Sequence, residues 1–174
     1  DLEIYNKKTT VKQNKEMLKC LTDIGIYCGS FGFIMLNPYS TSQTLKENFK
    51  FLVEMKCHNF LAYTSRLTAY IGTDITKRII EDGLMIDSED VLHGIQYKYR
   101  EPEIEKIDKF IKKNFYSNKD IERLMINTDA IPLFIHQLSD FLQDGDKYLT
   151  MLNLLMNQYA DLFKDYFILI LVEH

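Results

Sequence analysis

Apolar residues recur with helical spacing along most of the chain. Between Val11 and Cys28 they fall at Met17, Leu18, Leu21, Ile24 and Ile26, and Gly29-Ser30-Phe31-Gly32 stops the run. Asn37-Pro38-Tyr39-Ser40 reads as a turn. A second helix starts near Ser40 to Ser42, which can cap it, and carries Leu45, Phe49, Leu52 and Val53. Leu61, Leu67, Tyr70, Ile71, Ile75, Ile79 and Ile80 predict a third helix from about Cys57 to Asp82, with Gly83 as its stop. Asp87–Tyr99 is a connection with a short helix expected at Ser88–His93. Glu101-Pro102-Glu103 then suits a helix start, because acidic residues favour the positive end of the helix dipole and Pro is tolerated in the first turn. That helix runs to about Phe115. Ser117-Asn118 caps the next, over Lys119–Met125, and Pro132 bends or restarts it. Asp144-Gly145-Asp146 breaks the chain before a last long helix from Lys147 to about Leu171. No strand-length alternation bounded by turns is visible, so the pattern predicts one all-α domain over residues 1–171.

Residues 62–81 stand out within this series. Thr68, Ala69, Gly72 and Thr73 put small side chains in the middle of the third expected helix. A helical Gly costs roughly 1 kcal/mol against Ala, so it marks close approach to the backbone. The approaching group is either another helix or a flat ligand, and the helix pattern leaves both open.

Composition narrows the class of protein. The chain has 174 residues, 46% of them hydrophobic, which is enough for a real core and argues against disorder. The net charge of -4 gives no general case for nucleic acid, although a local basic face remains open. Lys outnumbers Arg by 17 to 4 and Ile outnumbers Val by 19 to 4, the bias of an AT-rich genome. Cys20, Cys28 and Cys57 are odd in number and lack CxxC spacing, so they read as buried thiols and not as a disulfide or zinc framework. The densest apolar run, Tyr166–Val172, is too short to span a membrane. The missing initiator Met reads as a processed or truncated chain, and residues 172–174 as an expression-tag remnant.

Candidate chemistry is sparse. His58, His93, His136 and His174 form no HxxxH, HExxH or ExxH pairing, so neither a zinc hydrolase nor a di-iron site is expected. His136, flanked by apolar residues, reads as structural. No phosphate loop, GxSxG or dinucleotide fingerprint occurs. Lys106, Lys109, Lys112 and Lys113 surround one helix and read by default as a solvated face.

Residues 62–79, AYTSRLTAYIGTDITKRI, resemble the distal helix of heme oxygenases, with agreement at Ala62, Tyr63, Thr64, Leu67, Gly72, Lys77 and Ile79. Asn14-Lys15-Glu16-x-Leu18, Thr22-Asp23-Ile24, Pro38-Tyr39-Ser40 and Gly94–Phe115 resemble neighbouring segments of the same family in order and spacing. Phe134–Tyr166 resembles the family's first helix-turn-helix at an unusual place in the chain. Alternatively, Asp120–Gln143 matches its last helix.

The resemblance implies a single-domain heme-oxygenase-like helical bundle that has lost heme chemistry. No His stands near Ile126 or in the first ten residues, where a proximal iron ligand is expected. The degenerate heme-pocket positions are Tyr63, Thr68, Ala69, Gly72, Thr73 and Lys112. Ala69 replaces a distal Asp and cannot order a proton relay. The β-branched Thr68 and Thr73 replace glycines, and Asp108 replaces a propionate-binding Lys. The chain is similar in this respect to divergent heme-oxygenase-like members of malaria parasites, which implies a pseudoenzyme in the plastid (apicoplast). No catalytic residue, metal or bound cofactor is expected; heme, if taken up, is held weakly. The expected partner is a protein or a nucleic acid, the four lysines being the only hint of the latter. An active heme oxygenase and a generic helical scaffold are the alternatives.

Overall fold

The computed structural model describes residues 2–26, 28, 32–57, 59–87 and 94–173; for residues 124, 125, 128, 129, 140, 160, 163 and 170–173 it describes the backbone alone. The expected helix at 88–93, His58, His93, His174 and most of the stop at 29–32 lie outside the described residues. The described chain is mostly helical: α1 (Val11–Asp23), α2 (Ser42–Glu54), α3 (Phe60–Thr64), α4 (Asp74–Glu81), α5 (Pro102–Ile111), α6 (Lys119–Leu138) and α7 (Gly145–Glu173). Two short antiparallel strands, β1 (Met85–Asp87) and β2 (Gln96–Tyr97), pair Met85 with Tyr97.

Local chemistry sets most boundaries. Thr10 caps α1 in a capping box with Gln13, and Thr41 caps α2 with Thr44. Gly83, at φ 65°, ends α4 in the left-handed conformation. Pro102 opens α5 where its missing N–H costs nothing. α5 continues as a π-turn over Lys112–Tyr116. Of the two expected effects of Pro132, a bend or a restart, the restart does not occur, because α6 runs through it as one helix.

The third expected helix is the main correction. Residues 57–82 are two short helices, α3 and α4, joined by an extended segment. Leu67 donates its N–H to Leu36 O at 2.8 Å, and Ala69 accepts from Ile95 N at 3.0 Å. Burial alternates there with period two: Leu67 and Ala69 point inward, Thr68 and Tyr70 outward. Ser65, Thr68, Gly72 and Thr73 are poor helix residues, and side-chain hydrogen bonds offer the backbone other partners. Ser65 Oγ donates to Phe33 O at 2.6 Å, and Thr73 Oγ1 donates to Tyr70 O at 2.9 Å. The apolar spacing fits either period over so short a run, and the available ladder partners decide it.

The core lies between α2, α3, α5 and the segment Met35–Ser40, which is buried throughout. Leu45 and Leu52 of α2 meet Tyr63 of α3, Ile79 of α4 and Ile104 and Ile111 of α5 in one cluster. Phe60 packs on Phe115 at 4.8 Å, and Phe167 of α7 stacks on Phe49 at 5.2 Å. No helix among the described residues is long and apolar enough to cross a membrane.

Candidate functional site

The six expected heme-pocket positions fall on different kinds of local structure. Tyr63 is buried on α3, and its hydroxyl donates to Cys57 O at 2.9 Å. Ala69 is buried in the bridge to Ile95. Thr68, Gly72 and Thr73 are exposed. Gly72, at φ 89°, forms the turn between Tyr70 and Thr73, and Thr73 caps α4. Lys112 sits on the π-turn with its ammonium 2.9 Å from Asp108 Oδ2. A heme plane needs one helix face lying across it, whereas these positions occupy a helix, an extended segment, a turn and a π-turn. Ile126, at the expected iron-ligand position, is exposed.

Asp108 instead organises a clamp. Its carboxylate is buried and faces Arg66 Nε at 3.0 Å and Lys112 at 2.9 Å. Arg66 Nε also donates to Tyr99 Oη at 3.2 Å and lies over the Tyr97 ring at 5.4 Å. Tyr97 Oη donates to Leu67 O at 2.8 Å, and the Tyr116 and Thr64 hydroxyls meet at 2.9 Å. Burial pushes the Tyr97 phenol up to about 12, with Arg66 opposing the shift, so this phenol remains a proton donor at neutral pH. The clamp ties the extended segment, β2 and α5 together, and two cations share one carboxylate within it.

Two of the four lysines of the expected basic face are paired with carboxylates. Lys109 pairs with Glu105 at 2.7 Å and Lys112 with Asp108. Lys106 and Lys113 are exposed without such a pair among the described residues. Over residues 101–123 six carboxylates stand against six cations, so the region has no net positive field. His136, on α6, is half-buried, and burial lowers its pKa. Of the cysteines only Cys57 is buried; Cys20 is exposed and Cys28 half-buried, so the expectation of three buried thiols holds for one. Among the described residues no three His, Cys, Asp or Glu side chains gather as a metal site.

A well-formed concavity lies where no site was expected. It is a groove of about 750 Å³ between the N-terminal segment, α1 and α2. Phe33 and Phe51 stack at 5.5 Å and line it together with Ile34, Leu18 and Tyr5. Lys7, Lys15, Lys50, Glu47 and Glu54 stand around it. Lys15 Nζ meets Glu54 Oε2 at 2.6 Å and closes one end, whereas Lys7 and Lys50 face no carboxylate within ion-pair distance among the described residues. α1 buries none of its residues and walls the groove without filling it. Tyr5 Oη and Asn37 Nδ2 are buried polar atoms that lie together without a hydrogen bond of good geometry, and burial raises the Tyr5 pKa while Asn37 opposes the shift. The N-terminal residues 2–10 are mostly polar. Bonds from Asn6 N to Glu3 O and from Lys7 N to Leu2 O fold them into turns, which brings Leu2 and Tyr5 to the groove.

This arrangement can bind an amphipathic molecule; its floor offers no paired nucleophile and base. Comparison with protein-family profiles, characterised proteins and solved structures finds no match to the chain.

Proposed function

We propose that the chain is a non-catalytic binding protein whose groove between the N-terminal segment, α1 and α2 takes a small, mostly apolar ligand with an anionic end. The observation that carries this reading is an open apolar concavity of about 750 Å³ with Lys7 and Lys50 at its rim. That volume lies within the roughly 300–1,000 Å³ of small-molecule sites, and an apolar floor with few polar groups is their usual chemistry. A medium-chain fatty acid is the simplest molecule of this class.

Heme turnover is not part of the proposal, because the positions that would face heme belong to a helix, an extended segment, a turn and a π-turn. The lineage suggested by residues 62–79, a heme-oxygenase-like protein retained for plastid maintenance, agrees with a binding role and rests on sequence likeness. Nucleic acid is disfavoured as a partner by the charge balance over residues 101–123. Titration of the whole chain with a medium-chain fatty acid tests the reading. Saturable binding of one equivalent, lost in Leu18→Glu, is expected. Absence of saturation contradicts it, and conversion of added heme to biliverdin under reducing conditions would restore the enzyme reading.

A further inference from the structure

α7 carries a second apolar surface, none of whose residues lines the groove. Tyr148, Leu155, Leu162 and Leu169 stand seven residues apart along this 29-residue helix, and each is 47–59% exposed. Met151 and Leu154 widen the stripe at 60% and 63% exposure, and Phe141, in the turn before α7, is 84% exposed. The adjoining face of the helix is already engaged within the chain, because Leu152, Met156 and Phe167 are buried. A seven-residue apolar repeat is what a helix shows when a second helix packs along it.

We infer that this stripe is the interface between two copies of the chain, packed antiparallel through α7. Charge decides the direction. In a parallel pair, Asp165 would face its own copy at an inner position of the repeat, which sets like charges together. In the antiparallel pair, Lys147 faces Asp161 of the second copy, and two-fold symmetry makes this contact twice. The same register places Leu154 beside its symmetry mate and Met151 against Leu155 of the second copy. Tyr148 then meets Gln158, and Leu162 reaches the corner where Phe141 is exposed. Asp165 falls at the open end of the overlap, in water. Half-exposed side chains of this size present on the order of 100 Å² each. Six of them with their polar rim approach the ~800 Å² per partner of a standard interface.

Sedimentation equilibrium of the whole chain tests this, with charge variants that leave the core untouched. A reversible monomer–dimer equilibrium is expected. Lys147→Glu or Asp161→Lys weakens it about tenfold, and the two together restore it to within about threefold. Restoration cannot arise inside one chain, because these residues stand about four turns apart on a single helix. Leu154→Cys, compared with the unsubstituted chain because Cys20 is exposed, gives a covalent dimer on oxidation. A chain that stays monomeric at high concentration overturns the inference. So does a dimer that ignores both charge variants, or one that the double variant fails to restore.

Discussion

Arg66 Nε lies 3.0 Å from Asp108 Oδ1, and this contact joins the extended segment after α3 to the middle of α5. The carboxylate is 4% exposed at its side chain and the guanidinium 27%, so the pair is shielded from water on one side. Removing one partner of such a pair leaves an unpaired charge in a poor solvent for it. Asp108→Asn is expected to lower stability by about 2–3 kcal/mol, below the full buried-pair cost because Arg66 and Lys112 retain some hydration. Urea unfolding with an unchanged slope and a lower midpoint is the expected record.

Tyr39 is held between two guanidinium groups, Arg78 at 4.6 Å and Arg100 at 5.1 Å from its ring centre. Asp82 anchors Arg100 through a 3.0 Å hydrogen bond. The Tyr39 hydroxyl is buried near Asp82 but makes no hydrogen bond of good geometry. The ring, then, does the holding. Tyr39→Phe is expected to change stability by less than about 0.5 kcal/mol, whereas Tyr39→Leu loses both cation–π contacts and costs about 1–2 kcal/mol. Thermal melts of the two variants separate ring from hydroxyl.

Burial pushes the Tyr39 and Tyr97 phenols up to about 12 in the folded chain. Unfolded tyrosine ionises near pH 10. Between these values the unfolded chain loses protons that the folded chain keeps, so rising pH favours unfolding. Stability is fully present below about pH 10 and is lost progressively towards about pH 12. Chemical unfolding across that window should show the decline, and tyrosinate absorbance should show these phenols ionising only as the fold is lost.

Gly72 and Gly94 both have positive φ, 89° and 80°, but differ in their surroundings. A Cβ on Gly72 would meet nothing within 4 Å, whereas on Gly94 it would lie 3.0 Å from Ala69 O and 3.1 Å from Thr68 Cγ2. Gly72→Ala therefore carries backbone strain alone, about 1 kcal/mol. Gly94→Ala carries the strain and a clash against a bridged backbone, and its loss should be about 2 kcal/mol or more. Equal effects in melting experiments would contradict this account of the two turns.

Much of the helical framework is legible in the sequence, because it rests on local chemistry. Thr10, Thr41, Gly83, Pro102 and Asn118 act at helix ends through side-chain or backbone preferences that need no tertiary partner. Residues 65–73 are different. Leu67 and Ala69 suit a helix face or a strand face equally, and only the backbone partners Leu36 and Ile95, distant in sequence, select the strand. The groove was hidden for a related reason. Tyr5, Leu18 and Phe51 carry no motif and come together only when turns fold the N-terminal residues toward α2. Gly72 invited a reading as a close-approach glycine because helix periodicity placed it mid-helix; its positive φ in an exposed turn gives the actual requirement.

A fluorescence titration of the whole chain with an apolar, anionic dye tests the binding account most directly, using Leu18→Glu in the groove and Leu162→Glu on α7 as paired variants. One saturable site, abolished by Leu18→Glu and retained in Leu162→Glu, is the predicted result. No saturable site, or a site that survives Leu18→Glu and disappears in Leu162→Glu, would contradict it.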